Sequence, residues 1–136
     1  MSKTIVWADD DIGIIRSTIR PLEKAGYKFI ELRSVREALG KIEILRKADL
    51  LLFDMILPPG EGNNELEFSR YPGLDLLEIL RNKFKINTPV VVLTVATNEE
   101  IFERLKALNV VDIINKPVRP SILKEKIEHV LDMGFK

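Results

Sequence analysis

Three acidic residues in a row, Asp9, Asp10 and Asp11, follow a short apolar run from Ile5 to Ala8. Asp54 follows a second run, Leu50 to Phe53, and Thr94 a third, Val90 to Leu93. Lys116, with Pro117 behind it, comes just after a fourth, Val110 to Ile114. Carboxylates gathered in one cleft repel each other, and a hard divalent cation relieves that repulsion. Mg²⁺ takes one or two carboxylates, a carbonyl, several waters and a phosphate oxygen. A carboxylate can itself be the nucleophile, giving an aspartyl phosphate. The phosphoryl group then presents three acceptor oxygens. A metal ion, an ammonium and a hydroxyl can satisfy them from different sides.

Each residue alone has a plainer reading. An Asp after a strand often serves only as the N-cap of the next helix. Thr94 reads as a strand residue and Lys116 as a solvated lysine. Asp54 has the least such explanation, because Met55 to Pro58 continues apolar and no helix start follows at once. The coincidence of all four at the ends of separate runs carries the chemical reading.

The runs are short, mostly continuous and rich in β-branched residues, as strands buried on both faces of a parallel sheet are. Lys28 to Leu32 is a fifth candidate, nearer an edge. Between them lie stretches of helical period. Ile12 to Ala25 carries Ile15, Ile19 and Leu22, has Pro21 late in it as an expected kink, and ends at Gly26. Ser34 to Lys47 opens on a capping box, Ser34 and Glu37. Leu74 to Phe84 carries Leu76, Leu77 and Leu80. Thr97 and Glu100 form a second box before Ile101 and Leu105. Pro120 opens a last helix.

The order is strand then helix, five times. It predicts an α/β, flavodoxin-like (βα)5 three-layer sandwich with a parallel five-stranded sheet in the order 2-1-3-4-5. Ligands of such sheets sit at the carboxyl ends of the strands, where the acids, Thr94 and Lys116 stand. The segment 58–72 is predicted as a long loop.

Composition narrows the function. The chain has 136 residues, one domain's worth, with 21 basic and 21 acidic side chains and no formal net charge. That balance argues against direct nucleic-acid binding and against a polybasic membrane surface. There is no cysteine and one histidine, His129, which excludes disulfides and Cys-ligated zinc. No apolar run is long enough for a membrane span or a signal peptide, so a cytoplasmic chain is expected.

These residues resemble the receiver domain of two-component response regulators, over essentially the whole chain. Asp9-Asp10 looks like the family's acidic pair, and Gly26, 17 residues after Asp9, agrees with that register. Asp54-Met55-Ile56-Leu57-Pro58 resembles the end of the phosphoacceptor strand. Thr94 resembles the hydroxyl residue, and Lys116-Pro117 the lysine and its proline, whose peptide bond is often cis. The resemblance implies that Asp54 accepts a phosphoryl group from a histidine kinase or phosphotransfer protein. It implies Mg²⁺ held by Asp9, Asp10, Asp54 and the backbone carbonyl of Ile56. Lys116 and Thr94 would hold the phosphoryl oxygens. Movement of Thr94 would reshape the surface around the fourth predicted helix and the fifth strand, toward a downstream protein target. Turnover of an external substrate is not expected, and the molecule would be a monomer or weak dimer. With the last helix running almost to Lys136, no output domain is expected.

Three departures stand out. Ile113 occupies the place, three residues before the lysine, where receivers often carry an aromatic. The matching glycine after the phosphoacceptor is Gly73, nineteen residues on from Asp54, which implies an eleven-residue insertion within about 59–72. Arg119, before the last helix, has no capping side chain. The inserted Glu61 to Tyr71 either covers Asp54, adds a partner contact, or is a solvated loop. Two other readings are open: a pseudo-receiver that is never phosphorylated, and a haloacid-dehalogenase-like phosphatase using Asp9 and Asp11.

Overall fold

A computed structural model describes residues 3–62, 67–95 and 98–133. Five strands, β1 (Thr4–Ala8), β2 (Lys28–Leu32), β3 (Leu50–Phe53), β4 (Val90–Thr94) and β5 (Val110–Asn115), form one sheet. Its order is β2-β1-β3-β4-β5, and every pairing is parallel. This is the flavodoxin-like arrangement expected from the sequence. β3 and β4 are buried along their whole length, which explains why they read as unbroken apolar runs. β2 lies at one edge and is only partly buried.

Among the described residues six helices cover the two faces: α1 (Ile12–Lys24), α2 (Val35–Leu39), α3 (Ile42–Lys47), α4 (Pro72–Asn82), α5 (Glu99–Lys106) and α6 (Pro120–Met133). Successive strand residues point to opposite faces and so feed two cores. Val6, Leu51, Phe53 and Val92 pack with Leu45, Leu77, Leu80 and Ile101 from α3, α4 and α5. Ile5, Trp7, Leu52 and Val91 pack with Ile19, Leu22, Leu123 and Ile127 from α1 and α6.

Local differences from the expected elements have physical causes. The single helix predicted over Ser34 to Lys47 is two helices, broken where Gly40 ends α2 and Lys41 leaves helical geometry at φ −131° and ψ 40°. Gly40 is a poor helix interior residue, and the break lets Ala38 and Leu45 both reach the core. The Ser34–Glu37 box is present. Ser34 Oγ accepts from the Glu37 N–H at 3.1 Å, while the Glu37 carboxylate reaches back to the Arg33 N–H at 2.9 Å.

Pro21 sits inside α1, which continues to Lys24; Gly26 follows with φ +103°, a left-handed turn that favours glycine. α4 starts two residues earlier than expected, with Pro72 in its first turn. Asn98, not Thr97, caps α5: its side-chain oxygen accepts from the Ile101 N–H at 3.0 Å. Thr97 lies outside the described residues. The Arg119 carbonyl accepts from the N–H groups of Ile122 and Leu123, both at 3.0 Å. Among the described residues no helix is long and apolar enough to cross a membrane.

Candidate functional site

The carboxyl ends of β1, β3, β4 and β5 converge, and backbone hydrogen bonds carry the ladder one residue beyond the strands. The Asp9 N–H bonds the Leu32 carbonyl, the Asp54 N–H the Ala8 carbonyl and the Lys116 N–H the Thr94 carbonyl, all at 3.0 Å. These bonds fix the register of the polar residues that follow. The Lys116–Pro117 peptide bond is cis, as the resemblance implied.

Four of the expected residues meet there. Lys116 Nζ donates to Asp9 Oδ2 at 2.6 Å and to Asp54 Oδ2 at 2.9 Å. The Thr94 hydroxyl donates to Asp54 Oδ1 at 2.8 Å, and the Ile56 N–H donates to the same oxygen at 3.0 Å. Asp9 Oδ1 accepts from the Asp11 N–H at 2.9 Å. Exposure is 2% at Asp9, 6% at Asp54 and 0% at Thr94. Burial pushes the Asp9 carboxyl above its ordinary range, against the lowering pull of Lys116 and the Asp11 N–H. Burial works to lower the Lys116 ammonium, but its bonds to Asp9 and Asp54 outweigh that and raise it.

Asp10 does not join them. It is exposed, and among the described residues no three His, Cys, Asp or Glu side chains are grouped closely enough to hold a metal ion. The expected Asp9–Asp10–Asp54 set is thus not assembled in this arrangement; the Lys116 ammonium bridges the two buried carboxylates instead. Their charge is only half balanced, two negative groups against one positive. That surplus and the all-oxygen donor set fit a hard divalent cation. Asp11 stands at the N-cap position of α1, but its side chain makes no cap hydrogen bond.

Residues 5–128 match the Response regulator receiver domain family. The chain belongs to that family. It is 30% identical over 133 residues to the phosphate regulon transcriptional regulatory protein PhoB of Pseudomonas aeruginosa, covering 96% of this chain and 52% of that protein. It is 32% identical over 126 residues to the chemotaxis protein CheY1 of Helicobacter pylori, covering 90% of this chain and 92% of that protein. Among solved structures, a CheY-like receiver from Methanospirillum hungatei superimposes with a TM-score of 0.77 at 30% identity, covering 98% and 97% of the two chains. The chain spans about half the length of PhoB and of the response regulator GtcR of Aneurinibacillus migulanus.

In this receiver the long loop after β3 is docked at both ends. The Pro58 and Pro59 carbonyls accept the N–H groups of Val35 and Arg36, at 2.9 and 3.0 Å. Gly60 has φ +90°, and a β-carbon on it would lie 2.5 Å from Ser34 Oγ. Arg36 donates to the Gly60 carbonyl at 2.7 Å and stacks over the Phe68 ring, 5.4 Å from its centre. At the other end the Ser69 hydroxyl and N–H both donate to Asp75, at 2.9 and 2.6 Å. Arg104 on α5 pairs with Asp75 at 2.8 Å and with Glu78 on α4. These anchors replace a purely solvated loop, although Glu61, Gly62, Glu67 and Arg70 remain exposed. Asn63 to Leu66 fall outside the described residues.

Sequence reasoning missed one pair beside the site. Asn98 Nδ2 donates to the Tyr71 hydroxyl at 2.6 Å, and Tyr71 is 6% exposed. The available signal was a lone aromatic before a first-turn proline; nothing in it named Asn98 as the partner.

Proposed function

We propose that this receiver is a phosphorylation-dependent switch in which Asp54 accepts a phosphoryl group from a histidine kinase or phosphotransfer protein. The observation that supports this best is the pair of donors on Asp54, Thr94 on one carboxylate oxygen and Lys116 on the other. An Asp54 oxygen attacks the phosphorus of a phosphohistidine. The phosphorus–nitrogen bond breaks, the imidazole leaves with its electron pair, and an acyl phosphate remains. Lys116 is placed to pair with one phosphoryl oxygen and Thr94 to donate to another. The buried setting limits the water that would hydrolyse the acyl phosphate.

Asp9, Asp10, Asp54 and the Ile56 carbonyl are the groups that would hold Mg²⁺. When bound, the ion neutralises phosphoryl charge that the protein leaves uncovered. The phosphorylated form signals by protein contact with a downstream target. It turns over no external substrate and catalyses only its own phosphorylation and dephosphorylation. In a phosphatase reading Asp54 would have no role, although it carries the two side-chain donors.

The test is intact-mass spectrometry after incubation with acetyl phosphate, with Mg²⁺ or with EDTA, on wild type and Asp54→Asn. The expected result is one added phosphoryl group that requires Mg²⁺ and is lost in the variant. No adduct on the wild type, with a donor control working, would leave the pseudo-receiver as the better account.

A further inference from the structure

The Tyr71–Asn98 pair joins two segments that both begin at the site. Tyr71 directly precedes Pro72 and Gly73, and the Gly73 N–H bonds the Met55 carbonyl at 2.9 Å, one residue past Asp54. The Tyr71 ring is part of the core under α4 and α5. Asn98 lies four residues past Thr94 and caps α5 through the Ile101 N–H at 3.0 Å. This hydrogen bond therefore ties the chain leaving Asp54 to the chain leaving Thr94, nearer to Thr94 than the Arg104 contacts with Ser69, Asp75 and Glu78 do.

That tie bears on what phosphorylation must do. In this structure Thr94 donates to Asp54 Oδ1 at 2.8 Å. A phosphoryl group on Asp54 carries the acceptor oxygens beyond the carboxylate. The Thr94 hydroxyl has to follow them, and the chain after Thr94 follows with it. Asn98 is the first described residue in that connection held by a buried side chain. Ile113, half-buried on β5, offers no polar group to share the task. Both partners of the bond have fixed geometry: a phenol locked in a packed core and an amide already committed to a cap.

We propose that Tyr71 is a positioning residue: its bond to Asn98 holds the β4–α5 connection in its unphosphorylated place and opposes phosphoryl capture. This rests on the reading of Asp54 as phosphoacceptor. Losing this hydrogen bond, between a buried phenol and an exposed amide, changes an equilibrium by about fivefold.

The experiment measures the phosphorylated fraction by intact mass across acetyl phosphate concentrations with Mg²⁺, for wild type, Tyr71→Phe, Asn98→Ser and the double variant. Serine keeps the capping oxygen while removing the amide donor. The half-saturating donor concentration should fall about fivefold in each single variant, with no further fall in the double. Thermal unfolding of the same proteins separates the alternatives. A bond that only stabilises the fold lowers the melting temperature and leaves half-saturation unchanged, and that result overturns the proposal. So does a rise in half-saturation, or two independent effects that add. Absence of any adduct on wild type overturns the phosphoacceptor reading instead, and this role for Tyr71 with it.

Discussion

Gly73 packs so closely on Asp54 that a β-carbon built on it would lie 1.9 Å from the Asp54 carbonyl oxygen. The chain leaves Asp54, travels the length of the insertion and returns to touch the same residue. The contact is between backbones, so no side-chain rotation relieves it. In an ordinary helix, alanine is better than glycine by about 0.5–1 kcal/mol. Gly73→Ala should reverse that sign and cost about 2–3 kcal/mol, the usual penalty for overpacking. It should also slow phosphorylation of Asp54, because α4 or the acceptor strand end must shift. Urea unfolding measures the first effect, and unchanged or increased stability would show that the strand end yields freely.

The burial of Asp9 costs stability. Its carboxyl is buried and pushed above the ordinary value of 3.8, even with Lys116 beside it. The folded protein thus binds that proton more tightly than the unfolded chain does. Stability then falls as pH rises from the ordinary carboxylate value through the folded one, and stays at the lower level above it. Asp9→Asn removes this loss while Lys116 keeps Asp54 as a partner. The variant should melt several degrees higher than wild type at neutral pH, with the difference shrinking toward acid pH. It should also lose most Mg²⁺-dependent phosphorylation. Calorimetry at a series of pH values checks the first claim; a variant less stable than wild type at neutral pH would contradict it.

Much of this was legible because the information is local. Continuous apolar runs mark strands buried on both faces, and a residue after such a run must stand at the sheet's carboxyl edge. Asp9, Asp54, Thr94 and Lys116 could therefore be placed together at that edge from position. Asp10 was not, because which of two adjacent acids turns inward depends on where the Lys116 ammonium lies, a contact between distant strands. The break at Gly40 and Lys41 was hidden for a similar reason. Propensity there is weakly helical, and the packing of Ala38 and Leu45 decides it. Asn98 caps α5 and also reaches Tyr71, a long-range contact that no local signal carries. The insertion's anchors could not be read, since Pro58 and Pro59 act through their carbonyls, which every residue has.

Arg81 on α4 staples the opposite end of the molecule. Its guanidinium donates to the carbonyls of Leu108 at 2.9 Å and of Ile86 and Thr88, both at 2.8 Å. No carboxylate pairs with it among the described residues, and burial lowers its pKa. The fork geometry lets one side chain join the connection before β4 to the connection before β5. Arg81→Met leaves those carbonyls unpaired and should cost about 2–4 kcal/mol. Arg81→Lys keeps the charge but not the fork, and should recover no more than about half of that. Chemical denaturation measures both. Phosphorylation at the far edge of the sheet should be unaffected under conditions where the variants remain folded.

Trp7 is the sole tryptophan, and it is 1% exposed on β1, two residues before Asp9. Its indole N–H has no hydrogen-bond partner among the described residues. A buried donor left unpaired costs about 1–3 kcal/mol. Trp7→Phe removes that donor but also removes ring volume from the core between α1 and α6, and a cavity there costs a similar amount. The two effects oppose, so the variant should stay within about 1 kcal/mol of wild type. Trp7→Ala gains the same relief but opens a far larger void, and should cost about 3–5 kcal/mol. The alanine variant gauges the void, and the phenylalanine variant measured against wild type gauges the indole N–H. A phenylalanine variant less stable than wild type by about 2 kcal/mol or more would mean that the N–H is satisfied in solution, by a water reaching between α1 and the sheet.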